Sequence, residues 1–356
     1  MDILALLREA KVQGASDLHL VVGSAPLFRI NGGLRPLDNA PLLTPEEISR
    51  GFLQITSPDE REHFHRSLEL DFAYTMPDFG RVRGNAAQQK GAISLALRLL
   101  PAKIPTVDEL GLPQMVKQLA TRPRGLVVVT GPTGSGKSTT EAAMIQYLNS
   151  NYSSHILTIE DPIEYVHHTN KCAITQREIG RDTLSFAEAL KHALRQDPDV
   201  ILLGEMRDLE TAASVLTLAE TGHLVLTTGH APSAPQAVER IIDMFPPAER
   251  YLAQSRLASL LVGVLCQALV PKADGTGRVA AVEIMMATTP VRNLIREGKI
   301  YQLPNVIRTS KNDGMMSLDE ALISLYLSRT ISGQSVLDFC SDRSEVEKLI
   351  GKVGVG

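Results

Sequence analysis

The sequence predicts an α/β protein in two parts, on three observations. From residue 125 to about 228, apolar strand-like runs alternate with helical patterns, which argues for a parallel sheet covered by helices. The string GPTGSGKSTT at 131–140 lies between the strand-like GLVVVT and the helical EAAMIQYLN, the context of a phosphate loop. Residues 1–100 carry a different pattern, with short strands among amphipathic helices, and a proline-rich stretch follows them. At 356 residues, 44% of them hydrophobic, the chain is long enough for two soluble domains with ordinary cores.

Composition removes several classes of function. There are 36 Lys and Arg against 40 Asp and Glu, a formal charge of −4 spread along the chain, so no nucleic-acid partner is expected. Cys172, Cys266 and Cys340 lie far apart with no CxxC pair, which argues against a zinc knuckle or a disulfide framework and fits a reducing cytoplasm. The opening MDILALLREAKVQGASDLHL mixes acids and bases and lacks an export pattern. The longest apolar run, LASLLVGVLCQALV at 257–270, is too short to span a bilayer and reads as a buried helix. A protein that meets membranes only peripherally is the expectation.

Taken in order, the N-terminal part opens on a short amphipathic helix. DLHLVV and PLFRI follow as strands, and Asn31-Gly32-Gly33 forms a turn before LRPL. A helical stretch begins at Thr44, an N-cap with Pro45 at the first position and Glu47 three residues on. LELDFAYTM, GRVRGNAAQ and AISLALRLL then read as strands that close one sheet. Pro101, Pro105, Pro113 and Pro123 each restrict the residue before them, which places a boundary near 101–105 and a linker over 101–123. In the second part GLVVVT, HILTIE, DVILLGE and HLVLTT are strands, with SFAEALKHALRQ and DLETAASVLTLAE as helices between the later ones. Beyond 234 the chain reads as mainly helical apart from GRVAAVEIMM.

The chemistry centres on Gly131-Pro132-Thr133-Gly134-Ser135-Gly136-Lys137-Ser138, which satisfies GxxxxGK[ST] and runs on into Thr139. Its glycines let backbone N–H groups turn inward around phosphate oxygens, at the positive end of the next helix. Lys137 is expected at the β- and γ-phosphates and the Ser138 hydroxyl at Mg²⁺, so ATP and magnesium are the implied cofactors. Glu205 ends the apolar strand DVILLGE, where sheet order sets it beside that loop. LTIEDPIE offers Glu160, Asp161 and Glu164; three acids so close repel unless a cation sits among them, so one or two are expected to be structural or solvated. His223 and His230 flank LVLTT, one at each end of a single strand.

In this order, the phosphate loop, TIEDPIE, ILLGEMRDLETA, TGHLVLTTGH, ERIIDMFP and VRNLIREGK resemble the secretion-type ATPases, and within them the pilus-retraction branch. The resemblance covers nearly the whole chain. It implies a PAS-like N-terminal α/β domain over 1–100 and a RecA-like P-loop ATPase domain over 124–356 with a helical C-terminal part. It implies a homo-hexamer on the cytoplasmic face of a pilus machine, a membrane platform protein as partner, and room for a paralogous retraction ATPase in the same ring. By this likeness Glu164 is the general base and Glu205 the acid that holds Mg²⁺, often through water. His223 and His230 form the family's His box, which senses the γ-phosphate. Arg81, Arg83 and Arg98 match arginines that the N-terminal domain lends to a nucleotide site, some across a subunit boundary. VRNLIREGK, with Pro290 ahead of it, matches a surface helix needed for retraction; Arg292, Asn293 and Arg296 are expected on its polar face, with Leu294 and Ile295 inward.

The chain also departs from that family. TTGHAP at 227–232 stands where GTLHTN is usual, so Ala231 and Pro232 replace two polar residues after His230. The alternatives are an ATPase of pilus assembly or type II secretion, which usually carries a longer N-terminal extension and a cysteine-rich insertion, and a low-turnover accessory subunit.

Overall fold

The computed structural model describes residues 2–30, 32–76, 80–100 and 103–353, the side chains of 350–353 excepted. The chain divides into two compact units, Met1–Lys103 with Glu164–Val166, and Ile104–Ile163 with His167–Gly356. The α/β class expected from the sequence is the one observed.

Unit 1 opens with α1 (Ile3–Val12), capped by the Asp2 carboxylate, then β1 (Asp17–Leu20), β2 (Leu27–Ile30) and β3 (Gly33–Pro36). Ile30 pairs with Gly33 across the expected turn, where Gly32 has φ +83°; Asn31 itself lies outside the described residues, as do Pro101 and Ala102 of the expected linker. The helical stretch from Thr44 is two helices, α2 (Pro45–Ile55) and α3 (Pro58–Ser67). Each begins with a proline and a reciprocal cap, Thr44 with Glu47 and Ser57 with Glu60, a device that contributes about 1 kcal/mol per helix start. The long strands β4 (Glu69–Met76), β5 (Gly80–Gln89) and β6 (Ala92–Leu99) complete an antiparallel sheet of order β3-β2-β1-β6-β5-β4.

The sheet's period of two decides its faces. Leu18, Leu20, Phe28, Val82, Ala86, Leu95 and Leu97 are buried with Ile3, Leu7, Ile48 and Phe52 of the helices. Gly84 belongs to that face because a Cβ there would meet the Phe72 ring at 2.3 Å. The other face carries Asp17, Arg29, Arg81, Arg83 and Arg98, placed by register: Asp17 opposite Arg29 and Arg98, and Arg83 opposite Arg98.

Unit 2 begins with α4 (Met115–Ala120), inside the stretch expected as linker. From residue 104 that stretch packs into unit 2, because Val107, Leu112, Val116 and Leu119 between the prolines are buried in its core. The strands β7 (Gly125–Thr130), β8 (His155–Glu160), β9 (Ala173–Glu178), β10 (Val200–Leu203) and β11 (Leu224–Thr228) form a parallel sheet. The helices α5 (Lys137–Asn151), α6 (Phe186–Ala193) and α7 (Leu209–Glu220) connect them. Then come α8 (Ala234–Asp243), α9 (Arg250–Leu260), β12 (Leu261–Pro271), β13 (Arg278–Met286), α10 (Thr289–Arg296), α11 (Leu303–Thr309), α12 (Leu318–Leu327), α13 (Gly333–Phe339) and α14 (Arg343–Val353). The strand order is β13-β12-β7-β11-β10-β8-β9.

The run 257–270 is not the buried helix expected of it. α9 stops at Leu260 and the chain continues as β12, parallel to β7 and antiparallel to β13. A strand covered on both faces is apolar throughout, so it lacks the alternation that would set it apart from a buried helix. Gly263 lets it lie close to its neighbours, since a Cβ there would come within 2.8 Å of Leu119 and 3.1 Å of the Met285 carbonyl. Among the described residues no helix is long and apolar enough to cross a membrane.

Candidate nucleotide site

The buried strand β7 ends at Thr130 and delivers the glycine-rich loop. Gly131 (φ +141°), Gly134 (φ +78°) and Gly136 (φ +91°) adopt backbone angles that other residues rarely reach. Gly131 is further constrained, because a Cβ there would lie 2.4 Å from the Gln267 carbonyl and 2.6 Å from Ser135 Oγ. Gly136 is the N-cap of α5 and supplies no side-chain cap, so the first N–H groups of a 15-residue helix point at the loop. Pro132, Thr133 and Gly134 are exposed, Ser135 and Lys137 are buried, and Ser138 and Thr139 are half-buried. Lys137 Nζ donates to the carbonyls of Gly131 (2.9 Å) and Pro132 (3.1 Å), holding a cation inside the loop.

Glu205 leaves the carboxyl end of β10 and His230 that of β11, so adjacent parallel strands bring them together. His230 Nε2 lies 3.1 Å from Glu205 Oε1, and Arg207 pairs with Glu205 Oε2 at 2.6 Å. Burial alone would raise the Glu205 carboxyl. The Arg207 hydrogen bond and the charges of Arg207, His230 and Lys137 together outweigh it and hold the group below the usual carboxylate value. Burial and then the Lys137 charge push His230 below the ordinary imidazole value, against the pull of Glu205. A carboxylate only accepts, so a neutral His230 in this contact carries its proton on Nε2.

The backbone around His230 is pinned. Thr130 Oγ1 donates to the Ala231 carbonyl (3.0 Å) and accepts from the Ala231 N–H (2.8 Å), and Arg240 donates to the His230 carbonyl (3.1 Å). Ala231 is 3% exposed and is held through its main chain. His223 is not brought to this site. It precedes β11 at the end where Gly125 starts β7, with Nδ1 at 3.0 Å from the Leu218 carbonyl, so the strand's five residues at about 3.3 Å each separate it from the loop.

The acids of LTIEDPIE take different places. Glu160 accepts from Thr158 Oγ1 (2.7 Å) and Gln176 Nε2 (3.2 Å). Asp161, followed by a cis proline, is exposed, and Glu164 belongs to unit 1. In unit 1, Arg81 and Arg83 alternate with buried Val82 and Gly84, as expected, and Arg81 donates to Thr75 at 3.4 Å. Arg98 Nε donates to Asp17 Oδ1 at 2.9 Å.

In α10, Val291 and Ile295 are buried, Leu294 is partly buried and Pro290 sits in the first turn. Arg292 is not on a free polar face. It donates to the carbonyls of Ala287 (2.8 Å), Ala258 (2.7 Å) and Ser259 (2.7 Å), the last two in the final turn of α9, where carbonyls lack helix partners. Asn293 and Arg296 remain exposed. The supporting roles of Asp17, Arg207, Arg240 and Thr130 are not visible in the sequence; the only signal for Arg207 is its place two residues after Glu205.

The family model for type II/IV secretion system proteins matches residues 90–324. The chain belongs to this family. Among curated relatives, the type IV pilus retraction ATPase PilT of Pseudomonas aeruginosa is 48% identical over 335 residues, covering 94% of this chain and 97% of PilT. The type IV pilus ATPase PilU of the same organism is 40% identical, covering 98% and 91%. A crystal structure of the pilus retraction motor PilT with bound ADP superposes with a TM-score of 0.92 at 43% identity, covering 98% of this chain and 99% of that one. The family resemblance drawn from the motifs is thereby borne out.

Proposed function

We propose that this chain is a motor ATPase that hydrolyses ATP to power type IV pilus retraction. The observation that carries the reading is a full-length likeness to PilT that includes an intact phosphate loop with Glu205 and His230 beside it. In this reading Gly131 to Thr139 cradle the phosphates, and Lys137 leaves its loop carbonyls for the β- and γ-phosphates. A water attacks the γ-phosphorus, Glu164 takes its proton, and the bond to the β-phosphate oxygen breaks to give ADP and phosphate. Arg81, Arg83 and Arg98 meet the charge that develops, some of them across a subunit boundary of a homo-hexamer, and His230 reports the γ-phosphate to the surrounding loops.

The donors present fit Mg²⁺. Ser138 and Glu205 offer hard oxygens, and the described residues hold no group of three or more His, Cys, Asp or Glu that would form an all-protein cage. Magnesium commonly takes one or two protein ligands and completes its shell with water and phosphate. Bound there, it would neutralise phosphate charge.

The ring would work on the cytoplasmic side of the membrane against a platform protein, turning phosphate loss into a change in which domain arrangement is stable. Counting surface pili and scoring twitching after deletion of the gene tests this. Excess pili with lost movement supports retraction; loss of pili overturns it in favour of assembly. A second reading, an accessory subunit beside a main motor, is favoured by one observation, the Ala231-Pro232 departure next to His230. Robust turnover by the purified chain, abolished in Glu205→Ala, would remove it.

A further inference from the structure

The outer face of the unit 1 sheet has an unusual charge pattern. Arg29 on β2, Arg81 and Arg83 on β5 and Arg98 on β6 share that face, and Arg83 stands directly opposite Arg98. Like charges across a strand pair destabilise a sheet, so such a face has its use in meeting an anion. Three carboxylates share that face: Glu69 and Asp71 on the edge strand β4, the latter accepting from Asn85 Nδ2 at 3.2 Å, and Asp17 on β1, which lies between Arg29 and Arg98.

The geometry of that carboxylate is specific. Asp17 is 7% exposed; Oδ2 accepts from Ser16 Oγ at 2.7 Å and lies 3.7 Å from Arg29 Nε, and Oδ1 accepts from Arg98 Nε at 2.9 Å. Arg98 is held by its inner nitrogen alone, its terminal nitrogens have no partner among the described residues, and its side chain remains 63% exposed. A guanidinium fixed at Nε keeps its planar two-nitrogen fork aimed outward, the edge that matches two oxygens of a phosphate.

We infer that Asp17 is a positioning residue for the ATPase reaction: it locks Arg98 through Nε, so that the terminal fork is presented ready-oriented to a nucleotide phosphate. The inference rests on the reading of Arg98 as a phosphate-binding arginine. Ser16 and Arg29 fix the carboxylate in turn, so a Ser16-Asp17-Arg29 brace stands behind a single working guanidinium.

A double-mutant cycle on the full-length protein tests it, with kcat, KM for ATP and thermal midpoint measured for Asp17→Asn, Arg98→Ala and the double variant. Asp17→Asn keeps the size and the Ser16 contact but weakens the grip on Nε. It should lower kcat by roughly ten- to a hundredfold with little change in KM, the scale of a misplaced catalytic group. The double variant should be no slower than Arg98→Ala, since Asp17 acts only through Arg98. Additive losses, or an Asp17→Asn that is fully active, overturn the inference while leaving Arg98 its role. If Arg98→Ala itself turns over normally, the reading of Arg98 fails first and the inference falls with it. Should Asp17→Asn not fold, Arg98→Lys serves: it keeps the charge but has neither Nε nor fork, so it should be as slow as Arg98→Ala, and full activity would refute orientation by Asp17.

Discussion

Replacing Thr130 by Val tests whether the His230 loop is held by β7. The two side chains are nearly the same shape, and Thr130 is fully buried, so packing is preserved while the hydroxyl is lost. The substitution removes both bonds to Ala231 at once, leaving a buried N–H without its acceptor and a carbonyl without its main donor. An unsatisfied buried group costs about 1–3 kcal/mol, so about 2 kcal/mol is expected. For a unit of this size each kcal/mol moves the midpoint by about 2–4 °C, so calorimetry should show the unit 2 transition falling by about 4–8 °C. Because Ala231 adjoins His230, ATP turnover should fall by about tenfold or more even well below that transition. A midpoint within about 1 °C of the parent with unchanged turnover would show that the clamp does not fix the loop.

Other substitutions probe the rest of the site. Lys137→Ala should weaken ATP binding in a fluorescent-nucleotide titration, because the β- and γ-phosphates lose their cation; unchanged affinity would count against the loop as phosphate site. Arg98→Ala should lower turnover by about a thousandfold with ATP binding largely intact, and mixing it with Glu205→Ala subunits should restore some activity; mixtures that stay silent argue against action across a subunit boundary. Arg292→Ala, which strips charged hydrogen bonds from three carbonyls, should lower the thermal midpoint of unit 2. Asn293→Ala and Arg296→Ala should spare both midpoint and turnover, so equal midpoints for all three would contradict the anchoring role. Burial would raise Asp17, but the hydrogen bonds of Ser16 and Arg98 and the charges of Arg98 and His19 hold it below the usual carboxylate value. Its contribution to unit 1 is therefore present above the unfolded pKa and is lost as pH falls through the lower, folded one; Asp17→Asn should flatten acid unfolding in that window.

Legibility in the sequence follows physical uniqueness. β7, β8, β10 and β11 are recognisable because short apolar runs stop at glycines, acids and histidines that only strand ends tolerate. The Thr44 cap is a local interaction, and the sequence contains all of it. β9 escapes notice because AITQRE, at an edge with one neighbour, is half polar and has no strong period. The 257–270 run misleads because burial on every side removes periodicity. Helical spacing puts Arg292 on a polar face, yet the open carbonyls at the end of α9 claim it, a contact between elements that no local pattern records. His223 and His230 look equivalent as a spaced pair. Strand direction separates them, since in a parallel sheet only the carboxyl ends gather at the loop.

The Ala231-Pro232 pair that follows His230 bears on how hydrolysis could move the protein. A phosphate can shift an equilibrium only through contacts that differ between its presence and absence. Lys137 and the Glu205–His230–Arg207 cluster are such contacts: each has a partner within the protein that a nucleotide would compete for or reorganise. Behind His230 the connections are main-chain ones, to β7 through Thr130 and to α8 through Arg240. A polar side chain at 231 is therefore unnecessary for tying His230 to the strand that carries the phosphate loop, and Pro232 restricts the turn into α8 further. Movement of His230 would be passed to the start of α8 as a unit, because both the residue and the one after it are fixed by their backbones. In the proposed reading of His230 as the γ-phosphate sensor, Ala231 and Pro232 keep this main-chain link and bring no polar side chain of their own, so any effect of the pair is expected on phosphate sensing and not on the scaffold.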